Sequence, residues 1–447
     1  MLSRIITTLV GWAVALFYDV ERTGPKLVDG PVLVTANHPN ALVDPLVIFR
    51  TAGRPTRPLA KAPLFEQLLV GTVLKGLGGL PVYRKRDDPA LMHLNDRTFD
   101  AAIEALQAGG AVQIYPEGQS HSEPSLTPLR TGAARIALLA EARAGWAVGL
   151  RVQPVGLTYA KKHLFRGRVI AAFGDPIVVA GYRDRYEVDE RDAVRALTDD
   201  VRTGLEALTL NYDSARDREL VDVAERLYAR QKGLARPRQR DRMSDRLPRL
   251  QRFTAGLRWL RDEDPERLQR LRLSVSRYLR LVTLFGATDG DVPRRYRFGA
   301  VVRYSLRQLF VLAVVLPFAI AGMVVWILPS AFTRWAAFRF RPEHDQIATY
   351  KLSVGFVAFP FWWALWTGMA FYLEGVRVAG ACAVVLPVLG LAAVAWRDRQ
   401  AVVREDLRVF LRASRRSESR DRLAELRGSL VAEFDRLAEL QAEGRST

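Results

Sequence analysis

Histidine is scarce in this chain, and one of the five histidines stands where a catalytic base would be expected. His38 follows an apolar segment, residues 31–36, and Asp44 comes six residues later in a predicted helix. The carboxyl ends of strands are where α/β domains hold their sites. A neutral imidazole can accept a hydroxyl proton while a carboxylate fixes its tautomer. The pair therefore indicates general-base chemistry, and the alternative is a histidine and an aspartate that cap a strand–helix turn.

The sequence lacks the motifs of several other catalytic classes. The patterns GxSxG, GxxxxGK, HExxH and GxGxxG are all absent. Cys382 is the single cysteine, which excludes a disulfide framework and a CxxC-type metal site. With no serine or cysteine nucleophile evident, a substrate hydroxyl would attack directly.

A second polar segment follows another apolar strand, residues 111–115. It contains Glu117, Gly118 and Ser120, and His121 stands beside that serine. His121 itself is interpreted as a polar loop residue.

Strands and helices alternate over residues 24–212, which is typical of an α/β domain. The predicted strands cover residues 31–36, 57–61, 80–83, 111–115, 151–157 and 168–173. The predicted helices cover residues 41–51, 65–77, 90–108, 131–144 and 189–210.

Four blocks, taken in chain order, resemble the glycerolipid acyltransferase superfamily. Its members share a His…Asp motif, a Gly-x-x-Pro-Val-x-Arg-like block, a Phe-Pro-Glu-Gly block and a Val-Pro-Val block. The corresponding blocks here are residues 38–44, 78–84, 116–122 and 152–157. The resemblance covers roughly residues 20–215 and implies an α/β acyltransferase domain.

The resemblance implies that His38 is the catalytic base and Asp44 its partner. The acceptor hydroxyl would then attack the thioester of an acyl-CoA or an acyl carrier protein, which serves as co-substrate. Because the thioester supplies the energy, the resemblance implies no metal and no redox cofactor.

It also implies substrate-binding residues. Glu117 and Gly118, together with Ser120, would shape the acceptor site. Arg84 would bind the acceptor phosphate, since a guanidinium makes paired, charge-assisted hydrogen bonds to phosphate. Without the family pattern, Arg84 is better explained as part of a solvated charge run, residues 84–86.

Two departures from the common pattern point to one subgroup. Five residues rather than four separate His38 from Asp44, so the helix must start differently or the turn must bulge. The usual Glu-Gly-Thr-Arg reads EGQS at residues 117–120, so its arginine is missing, and Arg130 or Arg135 could supply the lost charge. Both features resemble the fungal glycerol-3-phosphate/dihydroxyacetone-phosphate acyltransferases, a subgroup that also has C-terminal membrane segments.

The implied function is acylation of glycerol-3-phosphate or lysophosphatidate by a membrane-bound enzyme of phospholipid synthesis. Two alternatives stay open, and the missing arginine permits the first of them. One is an acyltransferase for a non-glycerol lipid acceptor, and the other is a non-catalytic membrane protein that binds lipid.

Composition places much of the chain against a membrane. The 447 residues are 49% hydrophobic yet carry a net charge of +18, which excludes a disordered chain. Three runs without a charged residue, 309–328, 352–373 and 378–396, are each long enough for a membrane helix. Each has an interior proline, which membrane helices tolerate. The alternative is a set of buried core helices.

Most of the positive charge lies in one region before these runs. Residues 230–307 hold 21 Lys or Arg and 8 Asp or Glu. Leucines at helical spacing between arginines, over residues 246–260, predict an amphipathic helix on an anionic bilayer surface. The alternative is a helix packed on its neighbours. No nucleic-acid reader motif accompanies the charge, so nucleic acid is not an expected partner.

The basic flanks of the apolar runs predict that these flanks, and the catalytic domain, face the cytoplasm. A hairpin of the second and third runs, with the first run re-entrant or shallow, keeps every basic flank inside. This arrangement is the predicted topology.

The remaining segments complete the predicted organisation. Residues 1–20 are an interfacial or re-entrant helix, with a core helix as the alternative. Residues 21–215 form the acyltransferase domain, 216–307 the basic helical region and 308–397 the membrane segments. The tail, 398–447, contains leucines at heptad spacing, which predict either a homo-oligomer through this helix or a helix packed on the body.

Overall fold

The computed structural model describes residues 2–83, 95–234, 242–284, 298–339, 346–413 and 417–443. The chain divides into two compact units. One comprises residues 1–213 with 335–356, and the other comprises residues 214–334 with 357–447. The first unit thus includes a short segment, 335–356, that the sequence placed among the membrane segments.

A sheet of eight strands, counted over the described residues, is the framework of the first unit. The strands are β1 (Tyr18–Thr23), β2 (Val32–Ala36), β3 (Arg57–Lys61), β4 (Leu80–Val82), β5 (Ala111–Ile114), β6 (Arg151–Tyr159), β7 (Gly167–Phe173) and β8 (Ile177–Val178). Their order is β1-β7-β6-β2-β5-β3-β4, with β8 beside β6. Neighbours are parallel except where β6 pairs with β7 and β8.

Helices flank this sheet. They are α1 (Leu2–Phe17), α2 (Val43–Thr51), α3 (Pro63–Glu66), α4 (Leu68–Gly76), α5 (Asn95–Gln107), α6 (Gly132–Arg143), α7 (Arg183–Val188) and α8 (Glu190–Leu208). The predicted α/β class is confirmed, and all six predicted strands are present. The sequence missed β1 and β8, and its single helix over residues 65–77 is in fact two helices, α3 and α4.

Strand β2 is central and fully buried. Val32 and Val34 pack into one apolar cluster, and Leu33 packs into a second cluster on the opposite face of the sheet. This alternation follows from the two-residue period of a strand. Strand β5 runs parallel beside β2, with Thr35 opposite Ile114. The carboxyl ends of these two strands therefore lie side by side.

Helix α1 packs one face on the sheet and exposes the other. Val10 and Val14 are buried in the same cluster as β2, whereas Leu9, Trp12 and Leu16 are exposed. The buried face is that of a core helix, which was the alternative for this segment. The exposed apolar face leaves an interfacial role as a prediction.

Four helices of the second unit form a bundle: α9 (Ala215–Gln231), α10 (Met243–Glu263), α11 (Pro265–Leu284) and α15 (Ser417–Glu443). The leucines of α10 that suggested a membrane-surface helix are buried in the protein: Leu247, Leu250, Leu257 and Leu260. The apolar face of α10 therefore packs on protein, which is the alternative kept for this helix. Leu423 and Leu430 of α15 are also buried in the bundle, so this tail packs within its own chain.

Several arginines of the basic region are paired inside the bundle. Glu225 accepts hydrogen bonds from Arg246 Nε at 2.7 Å and Arg249 Nε at 2.8 Å. Asp217 accepts one from Arg261 at 2.7 Å. Attraction to anionic lipid stays a prediction, and the exposed arginines that could supply it include Arg252, Arg258, Arg270, Arg277 and Arg280.

Three helices in the described part of the chain are long and apolar enough to cross a membrane. They are α12 (Phe298–Arg339), α13 (Ile347–Glu374) and α14 (Val376–Ala413). Helix α12 continues through its proline residues Pro317 and Pro329 without reversing. This continuity contradicts the re-entrant form predicted for the first apolar run, because a re-entrant segment must turn back within the bilayer.

Candidate functional site

The turn between β2 and α2 brings His38 and Asp44 together. His38 Nδ1 lies 2.8 Å from Asp44 Oδ2. Ala41 has a φ of +39°, a left-handed conformation that is uncommon for a residue with a side chain. This bulge absorbs the extra residue between histidine and aspartate, so the longer spacing still allows contact.

Three donors converge on the carboxylate of Asp44, which has no solvent exposure. Besides the His38 ring, the Tyr159 hydroxyl donates to Oδ1 at 2.7 Å and the Asn40 N–H donates to Oδ2 at 2.7 Å. Burial and the charge of Asp44 raise the pKa of Tyr159 well above its ordinary value, so this hydroxyl keeps its proton. The carboxylate is thereby held as an acceptor for the imidazole.

The hydrogen-bond network assigns the tautomer of His38. Since Asp44 is surrounded by donors, His38 Nδ1 carries the proton that it donates. Nε2 is then an acceptor, and it has no hydrogen-bond partner among the described residues. The ring stacks on Tyr115 with the centroids 4.1 Å apart. The imidazole is thus oriented on one side and available as a base on the other.

Glu117 connects the loop that follows β5 to the backbone of His38 by hydrogen bonds. Its carboxylate is 4% exposed and accepts from the His38 N–H at 2.7 Å and from the Thr127 N–H at 2.9 Å. It also accepts from the Thr127 hydroxyl and contacts His121 Nε2. With these partners, the Glu117 side chain fixes the backbone of His38.

A cavity of about 1040 Å³ opens beside His38. Part of its wall is apolar and consists of Leu59, Leu64, Val70, Val82, Phe99 and Ile114. Another part is polar and comes from Gln346 and the first turns of α13, namely Thr349, Tyr350 and Ser353. A cavity of this size and mixed lining suits a ligand with a long apolar part and a polar head.

The same part of the chain matches a known family. Residues 19–158 match the family model described as Acyltransferase, and they include the His38–Asp44 pair and Glu117. Residues 19–158 form an acyltransferase-family domain. The family indicated by the four sequence blocks is thereby confirmed.

Two curated yeast proteins are similar to this chain. Glycerol-3-phosphate O-acyltransferase 2 of Saccharomyces cerevisiae is 36% identical over 135 residues, which are 30% of this chain and 18% of that protein. Glycerol-3-phosphate O-acyltransferase 1 of the same yeast is 26% identical over 335 residues, or 70% of this chain and 41% of that protein. This chain thus spans less than half the length of either relative.

A solved structure is also similar, the 1-acyl-sn-glycerophosphate (LPA) acyltransferase of Thermotoga maritima. It is 21% identical, with a TM-score of 0.33, and the match covers 46% of this chain and 79% of that chain.

The acyltransferase domain gathers most of the predicted site residues. His38, Gly118 and Ser120 line the cavity, and Glu117 lies behind them. Arg84, the predicted phosphate ligand, lies outside the described residues. The individual roles assigned to these residues stay predictions.

Sequence reasoning missed the residues that support the pair from a distance. Tyr159 is 115 residues from Asp44, and no local pattern connects them. Tyr115 ends a predicted strand and was counted only as apolar. His121 stands four residues after Glu117, and this spacing within one loop was a signal that could have indicated their contact.

The Glu117–His121 contact predicts a pH-dependent stability. Burial alone would raise the pKa of Glu117, but hydrogen bonds from His121 and from two backbone N–H groups lower it below its ordinary 4.5. Burial alone would lower the pKa of His121, but the hydrogen bond and the charge of Glu117 raise it above its ordinary 6.5. The contribution of Glu117 to the free energy of unfolding is complete above pH 4.5, and that of His121 is complete below pH 6.5.

We therefore expect His121→Gln to be most destabilising between these two pH values. Losing a hydrogen bond between charged groups costs about 1.5–3 kcal/mol, which corresponds to a few degrees in melting temperature. Melting of the detergent-solubilised variant and wild type, compared at a series of pH values, measures the difference. It should shrink as pH rises through the raised pKa of His121 and as pH falls through the lowered pKa of Glu117. A difference that is constant from acid to alkaline pH would contradict the ion pair.

Proposed function

We propose that this chain is a membrane-bound O-acyltransferase. It would move a fatty acyl group from an acyl thioester to a hydroxyl of a glycerol-phosphate-type acceptor, glycerol-3-phosphate or lysophosphatidate. The observation that carries the proposal is the His38–Asp44 pair in the wall of a partly apolar cavity, with an Nε2 that has no partner among the described residues. The acyltransferase-family domain around this pair and the names of the yeast relatives support the same reaction.

The reaction needs one base that later acts as an acid. His38 Nε2 takes the proton of the acceptor hydroxyl as the oxygen attacks the thioester carbonyl carbon. Asp44 stabilises the imidazolium that forms. The carbon–sulfur bond then breaks, and the leaving thiolate takes the proton back from His38. The products are an ester and a free thiol, and the acyl-CoA or acyl carrier protein is consumed as a co-substrate.

The cavity offers a separate place for each end of the substrates. The apolar part of the wall, which includes Leu59 and Ile114, would hold the acyl chain. Each Å² of apolar surface removed from water contributes about 25 cal/mol to the free energy of binding. A further part of the wall, formed by Gly118 and Ser120, would hold the acceptor. Ester formation would take place between them, at His38.

We also propose that the chain is integral to the cytoplasmic membrane, with its acyltransferase domain facing the cytoplasm. Arginine-rich flanks support this orientation. Because segment 335–356 groups with the acyltransferase domain, the end of α12 and the start of α13 would lie on the same side of the membrane as that domain. A hairpin of α13 and α14 would cross the bilayer, and the exposed arginines of the basic region would meet its anionic lipids.

An activity screen of membranes that contain the full chain tests the function. The donors are palmitoyl-CoA and palmitoyl-acyl carrier protein. Each is offered with glycerol-3-phosphate, lysophosphatidate, glycerol or a lipid amine. We expect ester formation with the phosphorylated acceptors. Transfer only to the lipid amine would support the non-glycerol alternative, and no donor consumption would support a lipid-binding protein.

The same screen in sealed vesicles tests the orientation. Acyl-CoA does not cross bilayers readily, so we expect activity in inside-out vesicles without detergent and in right-side-out vesicles only after detergent. The reverse pattern would place the acyltransferase domain outside.

A further inference from the structure

The charge on the cavity wall is of one sign. Among the described lining residues, the ionisable side chains other than tyrosine are His38, Lys61, His121 and Arg130, and none is aspartate or glutamate. Asp44 contacts His38, and Glu117 contacts His121, from behind the wall. Lys61 and Arg130 therefore supply the positive charge of the wall, and positive charge in a cleft raises the local concentration of anions. The cavity is therefore suited to a substrate that carries negative charge.

Arg130 is held at this wall by the turn that follows β5. Its N–H donates to the Pro116 carbonyl at 2.7 Å, which closes the loop from residue 116 to residue 130. Gly118 has a φ of +74°, and a Cβ placed on it would lie 2.6 Å from Arg130 Nε and 3.0 Å from Cζ. The guanidinium therefore lies against the open face of a glycine, in the same turn as Tyr115, which stacks on His38.

The guanidinium of Arg130 has no partner among the described residues, and its side chain is exposed to the cavity. Lys61, the other lysine or arginine among the described lining residues, stands at the end of β3. Arg135 is five residues further along, in α6, and does not line the cavity. The geometry thus distinguishes the two arginines that the sequence left as equal candidates.

We propose that Arg130 binds the phosphate of the acceptor and selects phosphorylated acceptors. The inference rests on the proposed function for the identity of the acceptor. A guanidinium forms two parallel charge-assisted hydrogen bonds with phosphate oxygens. At this position it supplies the charge that the EGQS segment, residues 117–120, lacks. It would hold the acceptor so that its hydroxyl faces the His38 side of the cavity.

The kinetic test compares full-length Arg130→Ala, Arg130→Lys and Arg135→Ala in membranes. With saturating palmitoyl-CoA, we expect Arg130→Ala to raise the KM for glycerol-3-phosphate or lysophosphatidate by about 10- to 100-fold, the usual effect of losing a charged hydrogen bond. The KM for palmitoyl-CoA should not change. Arg130→Lys should recover part of the loss, since it restores charge but not the paired geometry.

A binding measurement separates this proposal from the proposed function. Calorimetry of the solubilised protein with glycerol-3-phosphate and with inorganic phosphate, in the absence of donor, needs no turnover. Phosphate-dependent binding that is lost in Arg130→Ala and kept in Arg135→Ala supports the site even if no acyl transfer is found. Equal binding or equal KM values in Arg130→Ala and Arg135→Ala would overturn it, as would a wild type that binds neither probe.

Discussion

Replacing His38 by alanine is expected to lower the rate of acyl transfer by about 10²–10⁴-fold, the usual contribution of a positioned general base. Without the imidazole, the acceptor hydroxyl must attack while still protonated. Binding should change little, because Glu117 fixes the backbone of residue 38 and the cavity walls come from other elements. The initial rate per amount of protein in membranes, with both substrates saturating, measures the effect.

A matched variant protects this result from a folding artefact. His38→Gln keeps a polar side chain of similar length but has no group that can act as a base. We expect it to be as slow as the alanine variant, with a melting temperature close to that of the wild type. A rate at the wild-type level in either variant would remove His38 from the mechanism.

Asp44→Asn is expected to slow the reaction by about 10- to 10³-fold, because the imidazolium that forms on His38 loses the negative charge that stabilises it. The contacts of Asp44 make this variant informative. The Asn40 N–H and His38 Nδ1–H both donate to Oδ2, so the amide oxygen of an asparagine would occupy that position. The Tyr159 hydroxyl can turn to accept from the new NH2 group. The tautomer of His38 is then retained, and the loss measures the missing negative charge.

Tyr159→Phe is the control for Asp44→Asn. It removes one hydrogen bond to Asp44 and leaves both the charge and the tautomer of the pair intact. We therefore expect a clearly smaller effect on kcat than in Asp44→Asn, together with some loss of stability. If Tyr159→Phe reduced kcat as strongly as Asp44→Asn, the charge of Asp44 would not be the important property.

The sequence predicted those parts of the site that depend on local chain geometry. An apolar strand followed by His38, with Asp44 early in the next helix, is a local arrangement, and so is the segment from Glu117 to Ser120. The buried strands were also predictable, since a short continuous apolar run bounded by turn residues is typical of a buried strand. The extra residue before Asp44 was noticed, but only the structure could show that a left-handed turn at Ala41 absorbs it.

Long-range contacts could not be predicted in this way. Helical spacing made the leucines of α10 equally suitable for a lipid surface and for a protein core, and the bundle of α9, α10, α11 and α15 decided for the core. Periodicity records which face of a helix is apolar but not which partner covers it. In the same way, the sequence pattern around Tyr159 does not show that its hydroxyl contacts Asp44, which is 115 residues away.

By itself, the sequence determined the family, the α/β class of the catalytic domain, the identity of the central histidine–aspartate pair and three apolar helices of membrane length. These properties are encoded in residue type, local spacing and hydrophobic runs. The tertiary structure alone decided that Tyr159 and Asn40 complete the set of hydrogen-bond donors around Asp44 and that the start of α13 lines the cavity beside His38. It also decided between Arg130 and Arg135, because packing against Gly118 depends on how residues 116–130 close into a loop, and sequence distance does not encode that closure.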